Sequence, residues 1–186
     1  MATQRDFKGN SLLIATDDYV VVDLETTGVS PARDRIIEIG AVRVEKGIVT
    51  AEYSKLVNPG RPVEGFITGL TGISDEMVSD ASPIDDVLPD FLDHLRPDDM
   101  IVAHNANFDI NFLYDNCMRT LGKPFPYDFI DTLRMSRALF PQERQHRLVD
   151  LIQRFGIADE EEHRGLSDAL QTVECYEHMK PMLADL

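Results

Sequence analysis

The sequence predicts an α/β domain built on a mixed sheet, and three features carry that expectation. "YVVVDLETTG", Tyr19 to Gly28, is a nearly continuous β-branched run, the composition of a strand covered on both faces, and Gly28 with Ser30-Pro31 closes it as a turn. "RIIEIGAVRVEKG" and "TAEYSKLVNPG" follow with strand-like apolar patterns ended by Gly47 and by Asn58-Pro59-Gly60, so the first three strands read as an antiparallel meander. Beyond them helical and strand patterns alternate, which adds parallel strands to the sheet and helices to its faces.

The later elements are placed by their own signals. Ser74 is an N-cap for the short helix carrying Met77 and Val78. "SPIDDVLPDFLDHL" sets Ile84, Val87, Leu88, Phe91, Leu92 and Leu95 at helical spacing, with Pro89 expected to break or kink it. "MIVAHN" is a short buried strand leading into the helix "FDINFLYDNCMRTLG", closed by Gly122, and "YDFIDTLRMSRALFP" is a strand running into a helical turn. "HRLVDLIQRFGI" and "GLSDALQTVECYEHMKPML" are amphipathic helices, separated by the acidic, mobile loop "IADEEEHRG".

At 186 residues and 43% hydrophobic content the chain fits one domain with a real core. Cys117 and Cys175 lie far apart with no metal-type spacing, which indicates buried thiols in a reducing compartment. The N-terminal stretch has an apolar run too short for a signal peptide, and no run is of membrane length, so a soluble cytoplasmic protein with no membrane partner is expected. The net charge of -15 argues against a broad electrostatic grip on duplex nucleic acid. A carboxylate cluster holding divalent cations would invert the field locally, so the acidity does not exclude a nuclease.

Asp23 and Glu25 interrupt the first strand. Alternation sends both to one face, roughly 6 to 7 Å apart, where two buried charges are costly unless a cation is shared. An isolated D-x-E is ordinarily a strand ending in solvent. Asp109, after "IVAHNANF", stands in the first turn of a helix, where an Asp is ordinary too. Asp168 opens the last helix off its main apolar stripe, and His163 precedes it by five residues in a loop with Gly165.

Together "VVDLETTG" (Asp23, Glu25), "HNANFD" (Asp109) and "HRGLSD" (His163, Asp168) resemble the DEDDh 3′-5′ exonucleases of the DnaQ-like family, over roughly residues 17 to 180. "TGLTGISDEMV" is similar to the family's equivalent region. The resemblance implies a ribonuclease H-like fold, with residues 1–16 as an N-terminal extension and 17–182 as the exonuclease domain. It further implies two Mg²⁺ or Mn²⁺ ions, with Asp23 bridging, Glu25 and Asp168 completing one site, and Asp109 supporting the second. His163 would be the general base, since imidazole ordinarily titrates near neutrality. The product would be a nucleoside 5′-monophosphate from a 3′ end.

Thr26, Thr27 and Gly28 are either a backbone cradle for the terminal nucleotide or a plain turn, and Phe108 and Phe66 either meet bases or join the core. His104, Asn105 and Asp131 are read as supports for the strand end that presents Asp109. The expected partner is the 3′ end of single-stranded or frayed DNA, in proofreading or repair, with a DNA polymerase as a further partner. The alternatives are an RNA-trimming enzyme of the same family and a catalytically silent polymerase-binding module.

Overall fold

The computed structural model describes residues 4–185. Its elements run β1 (Ser11–Leu12), β2 (Tyr19–Thr26), β3 (Ile36–Glu45), β4 (Ile48–Leu56), α1 (Gly65–Thr71), α2 (Asp75–Ser79), α3 (Ile84–Leu92), β5 (Ile101–Ala103), α4 (Asn107–Leu121), β6 (Phe129–Asp131), α5 (Thr132–Leu139), α6 (Leu148–Arg154) and α7 (Gly165–Met179), closed by a 3-10 turn at Lys180–Asp185. One six-stranded sheet has the order β1-β6-β5-β2-β3-β4. The expected meander forms its antiparallel part, and β5, β6 and β1 extend it in parallel from β2. Among the described residues no helix is long and apolar enough to cross a membrane.

The alternation of β2 divides the core. Val20, Val22 and Leu24 enter a layer with Leu88, Phe91, Ile110 and Leu113 from α3 and α4. Tyr19 and Val21 face the opposite layer, with Leu151, Val173 and Tyr176 from α6 and α7. Asp23 and Glu25 continue the second face, so both carboxylates point toward α7 at the end of the strand. The site therefore grows where the parallel strands β2 and β5 end, the usual crevice of an open α/β sheet.

Three local expectations meet corrections or additions. Pro89 does not break its helix: α3 runs through it to Leu92. The only backbone bond its ring removes is to the carbonyl of Asp85, an exposed residue whose carbonyl water can satisfy. The short helix α1 lacks a clear sequence signal because Gly65 and Gly69 dilute it; it is held by Ile67, which joins Ile37, Ile73 and Val78 in a small third cluster. Residues 4–16 pack along the domain. β1 pairs with β6, Arg5 forms a bidentate pair with Asp115, and the Tyr114 hydroxyl donates to the Asp6 carbonyl at 2.6 Å.

One close approach fixes α7 on the sheet. A Cβ placed on Gly40 of β3 would stand 2.0 Å from the carbonyl carbon of Gly165, and one on Gly165 would stand 2.9 Å from the Gly40 nitrogen and 3.1 Å from the Asp23 oxygen. Backbone meets backbone, so no side chain can move aside. Gly40→Ala is accordingly expected to lower stability by about 1–3 kcal/mol in urea unfolding. Gly69→Ala, where nothing lies within 4 Å, should leave stability equal or raise it by about 0.5–1 kcal/mol. Equal midpoints for wild type and Gly40→Ala would contradict the close approach.

Candidate active site

Asp23 lies opposite Gly40 in the β2–β3 register, and Glu25 opposite Glu38. Because Gly165 rests on Gly40, the first turn of α7 delivers Asp168 directly to Asp23 and Glu25. Carboxylate oxygens of these three residues all lie within 4.8 Å of one another. Asp168 is 4% exposed, and its Oδ1 is buried with no hydrogen-bond partner. Asp109, in the first turn of α4, arrives from the other side of the sheet. It is 3% exposed, and its Oδ1 accepts from the Leu24 N–H at 3.1 Å, between the two strand carboxylates. Asp109 is thus beside the cluster but outside its 4.8 Å group.

The turn that aims Asp109 is heavily braced. Asp131 caps α5 by accepting from Leu133 N–H and also accepts from Asn105 N–H, both at 3.0 Å. Asn105 has φ 60°, a left-handed conformation that Asn tolerates better than most residues. His104 meets the Thr132 hydroxyl at 2.9 Å, and burial pushes its pKa down to about 4, so it is a neutral packing group. These contacts match the supporting role read from the sequence.

Crowding and burial oppose ionisation. Burial, then the charges of Asp109, Glu25 and Asp168, hold Asp23 well above the carboxylate range. Burial and then Asp168 push Glu25 up to about 8. Asp109 rises to about 8 through burial, even with the Leu24 N–H favouring its charged form. Asp168 reaches about 6 through burial and then Glu161. Glu38 is handled differently, although it is 1% exposed: Arg164 engages it with two hydrogen bonds of 3.0 and 2.8 Å, and Gly165 N–H adds a third of 2.9 Å. That clamp also fixes the entry to α7.

His163 sits in the loop before α7 with its side chain 41% exposed and φ 51°. Its Nδ1 is 3.5 Å from Glu161 Oε2, and His163, Glu161 and Asp168 form a second group within 4.8 Å. Glu161 also accepts from the Val149 N–H, tying the loop to α6. Neither Glu161 nor Glu38 was singled out in the sequence.

An open groove of about 1460 Å³ holds Asp23, Glu25, Asp109, His163 and Asp168, with Phe108 and Val29 on its lining. That volume exceeds an ordinary small-molecule pocket and suits a polymer. Phe108 serves both readings, since it lines the groove while its ring lies 5.0 Å from Phe112 against the core. Phe66 is 77% exposed on α1, outside the groove. Thr26, Thr27 and Gly28 are not on the groove lining. Their polar groups serve the turn: Thr26 hydroxyl donates to the Gly28 carbonyl at 2.7 Å, and Thr27 exchanges bonds with the Arg35 backbone. A Cβ on Gly28 would stand 2.6 Å from the Asp34 carboxylate.

The donor set suits a hard divalent cation. In the group of Asp23, Glu25 and Asp168 carboxylate oxygens alone converge, and a buried Asp168 oxygen has no partner.

Comparisons with known proteins place this arrangement in a family. A family model described as Exonuclease (RNase_T) matches residues 20–176. The chain is 41% identical over 154 residues to the DNA polymerase III PolC-type of Streptococcus pneumoniae serotype 2, covering 83% of this chain and 10% of that protein. It is 40% identical over 163 residues to the same protein of Bacillus subtilis, covering 86% of this chain and 11% of that one. The chain therefore spans about a tenth of the length of these relatives. Among solved structures, Exonuclease X in complex with 5′ overhanging duplex DNA matches with TM-score 0.72 and 26% identity, over 88% of this chain and 92% of the other. E. coli Exonuclease I in complex with a dA16 oligonucleotide shares the fold, with TM-score 0.77 and 18% identity over 91% of this chain and 42% of that one. The match from 20 to 176 includes all four carboxylates and His163, and the chain belongs to the RNase_T exonuclease family, DnaQ-like nuclease hydrolases of ribonuclease H-like fold.

Proposed function

We propose that this chain is a 3′-5′ exonuclease that releases nucleoside 5′-monophosphates from single-stranded or frayed DNA 3′ ends. The observation that carries the reading is the convergence of Asp23, Glu25 and Asp168 within 4.8 Å, with an unpartnered buried oxygen, at the floor of an open groove. Two Mg²⁺ or Mn²⁺ ions would be held by Asp23, Glu25, Asp109 and Asp168. When bound, the ions supply positive charge to the attacking and leaving oxygens of the scissile phosphate. The chain's own residues do the rest. The carboxylates, aimed by the Gly40–Gly165 contact and the braced turn at Asn105, fix where the phosphate sits. His163 takes the proton of the attacking water, and Glu161 beside its Nδ1 steadies the imidazole. Phe108 offers an aromatic face to the terminal base, and the turn at Thr26, Thr27 and Gly28 holds the end of β2 beside it.

The proposed catalytic domain is 17–182, with residues 4–16 as its strap. The polymerase relatives support a proofreading context with a DNA polymerase as partner. The buried thiols Cys117 and Cys175, both pushed up to about 12 by burial, fit a reducing, cytoplasmic setting.

Three measurements test the reading. A 5′-labelled single-stranded DNA and its RNA counterpart, incubated with Mg²⁺, Mn²⁺ or EDTA, should give a metal-dependent ladder shortening from the 3′ end, faster for DNA and absent for Asp23→Ala. No cleavage by folded protein with either metal would overturn the nuclease reading, and faster RNA trimming would overturn the DNA preference. His163→Ala should lose about 10²–10⁴-fold in turnover while Mn²⁺ affinity stays within a few-fold; equal loss of both would remove His163 from the base role.

The third is a pH dependence. Glu25 and Asp109 hold protons in the folded state up to about pH 8, whereas the unfolded chain releases them near pH 4. The folded state then binds more protons, so metal-free stability falls as pH rises toward 8. His104 works in the opposite direction, but its effect is complete near pH 7. Between pH 7 and 8.5 in EDTA, stability should therefore drop by about 2–3 kcal/mol. Excess Mg²⁺ should cancel the drop by binding the ionised form. A flat metal-free profile would contradict the buried cluster.

A further inference from the structure

Beyond the carboxylate cluster the groove lining carries both signs of charge: Asp159, Glu160 and Glu161 from the loop before α7, and Arg137, in the last turn of α5, with Arg144, in the loop joining α5 to α6. Arg137 and Arg144 are exposed, and among the described residues neither makes an ion pair or a side-chain hydrogen bond. The other arginines around the groove are occupied: Arg147 with Asp150, Arg154 with Glu143 and Arg164 with Glu38. In a chain with 33 acidic and 18 basic residues, two uncommitted guanidinium groups facing the cleft are a local exception to the overall field. A strand carrying one negative charge per nucleotide is repelled by the carboxylates of Asp159 to Glu161 and attracted by the free guanidinium groups of Arg137 and Arg144. Guanidinium forks suit phosphate oxygens, and contacts of this kind position a strand without reading its bases.

We propose that Arg137 and Arg144 hold two backbone phosphates of the substrate strand on the 5′ side of the cleaved linkage, so that the strand leaves the carboxylate cluster along the α5–α6 wall. The inference rests on the nuclease reading above and adds the path of the strand and the residues that grip it. Because both side chains stand free, their removal takes away no contact that holds the fold.

Fluorescence anisotropy with a 5′-labelled deoxythymidine decamer, in Ca²⁺ and over a range of KCl, tests it on wild type and on the double variant Arg137→Ala, Arg144→Ala. The Kd should rise by about tenfold or more, and the slope of log affinity against log salt should fall by about 1.4, the loss of two single-strand phosphate contacts. The double variant Arg137→Lys, Arg144→Lys should keep most of the slope, since charge survives. In Mg²⁺, the rise in KM caused by the alanine pair should be several-fold larger on the decamer than on a dinucleotide, whose single linkage is the one cleaved and which has no phosphate on its 5′ side. An unchanged Kd and slope, or equal rises in KM on both lengths, would overturn the assignment, as would a wild type that does not bind the decamer. A wild type that binds with the expected salt slope but cleaves neither length would uphold the grip while removing the catalytic reading, so the two failures are distinct.

Discussion

The backbone contact between Gly40 and Gly165 is the constraint on which the site depends. It brings the start of α7 onto the sheet at the level of Asp23, and so converts a position in the last helix into a neighbour of the first strand. Any side chain at either glycine would lift α7 and separate Asp168 from Asp23 and Glu25. The Arg164–Glu38 clamp acts at the same place. Gly165 N–H donates to the Glu38 carboxylate that Arg164 grips, so helix entry, ion pair and close packing reinforce one another. A buried charge that is fully hydrogen-bonded, Glu38, stands beside buried charges that are not. That contrast separates a carboxylate used to build from the carboxylates proposed to bind cations.

The cluster costs the fold stability when it is empty of cations. Four acidic groups are brought out of water with Asp23, Glu25 and Asp109 all held above the carboxylate range, and the nearest cationic groups are already committed to Glu38 and to the surface. Perturbed carboxylates of this kind cluster at functional sites, where the charged state has work to do. The remaining acidity of the chain sits elsewhere on the surface and weakens long-range attraction of nucleic acid, which leaves recognition to the groove. The chain spans about a tenth of the length of its polymerase relatives.

Much of this was legible in the sequence, for physical reasons that differ by residue. Asp23 and Glu25 were conspicuous because charges on one face of a β-branched run need an explanation, and Asp109 and Asp168 because each opens a helix beside a family motif. Glu38 was hidden: in an alternating strand a glutamate looks solvent-facing, and its partner Arg164 is 126 residues away. Glu161 was lost among its acidic neighbours. Gly40, a glycine inside a strand, did carry a signal of close backbone approach, but only the fold identifies Gly165 as what approaches. The strap at residues 4–16 escaped because two residues of strand leave no periodicity, and Pro89 misled because its missing hydrogen bond falls at an exposed first turn. The turn at Thr26 to Gly28 had two readings in sequence, and the hydrogen bonds it makes are internal.

The most direct test of the account is where cations go. Crystals soaked in Mn²⁺ with a nucleoside 5′-monophosphate should show two anomalous peaks sharing Asp23, one also contacting Glu25 and Asp168 and the other on the Asp109 side. Soaking should leave the Gly40–Gly165 contact in place. No peak at Asp23, or Mn²⁺ bound solely at Glu161 and His163, would contradict the claim that the buried cluster exists to hold metal.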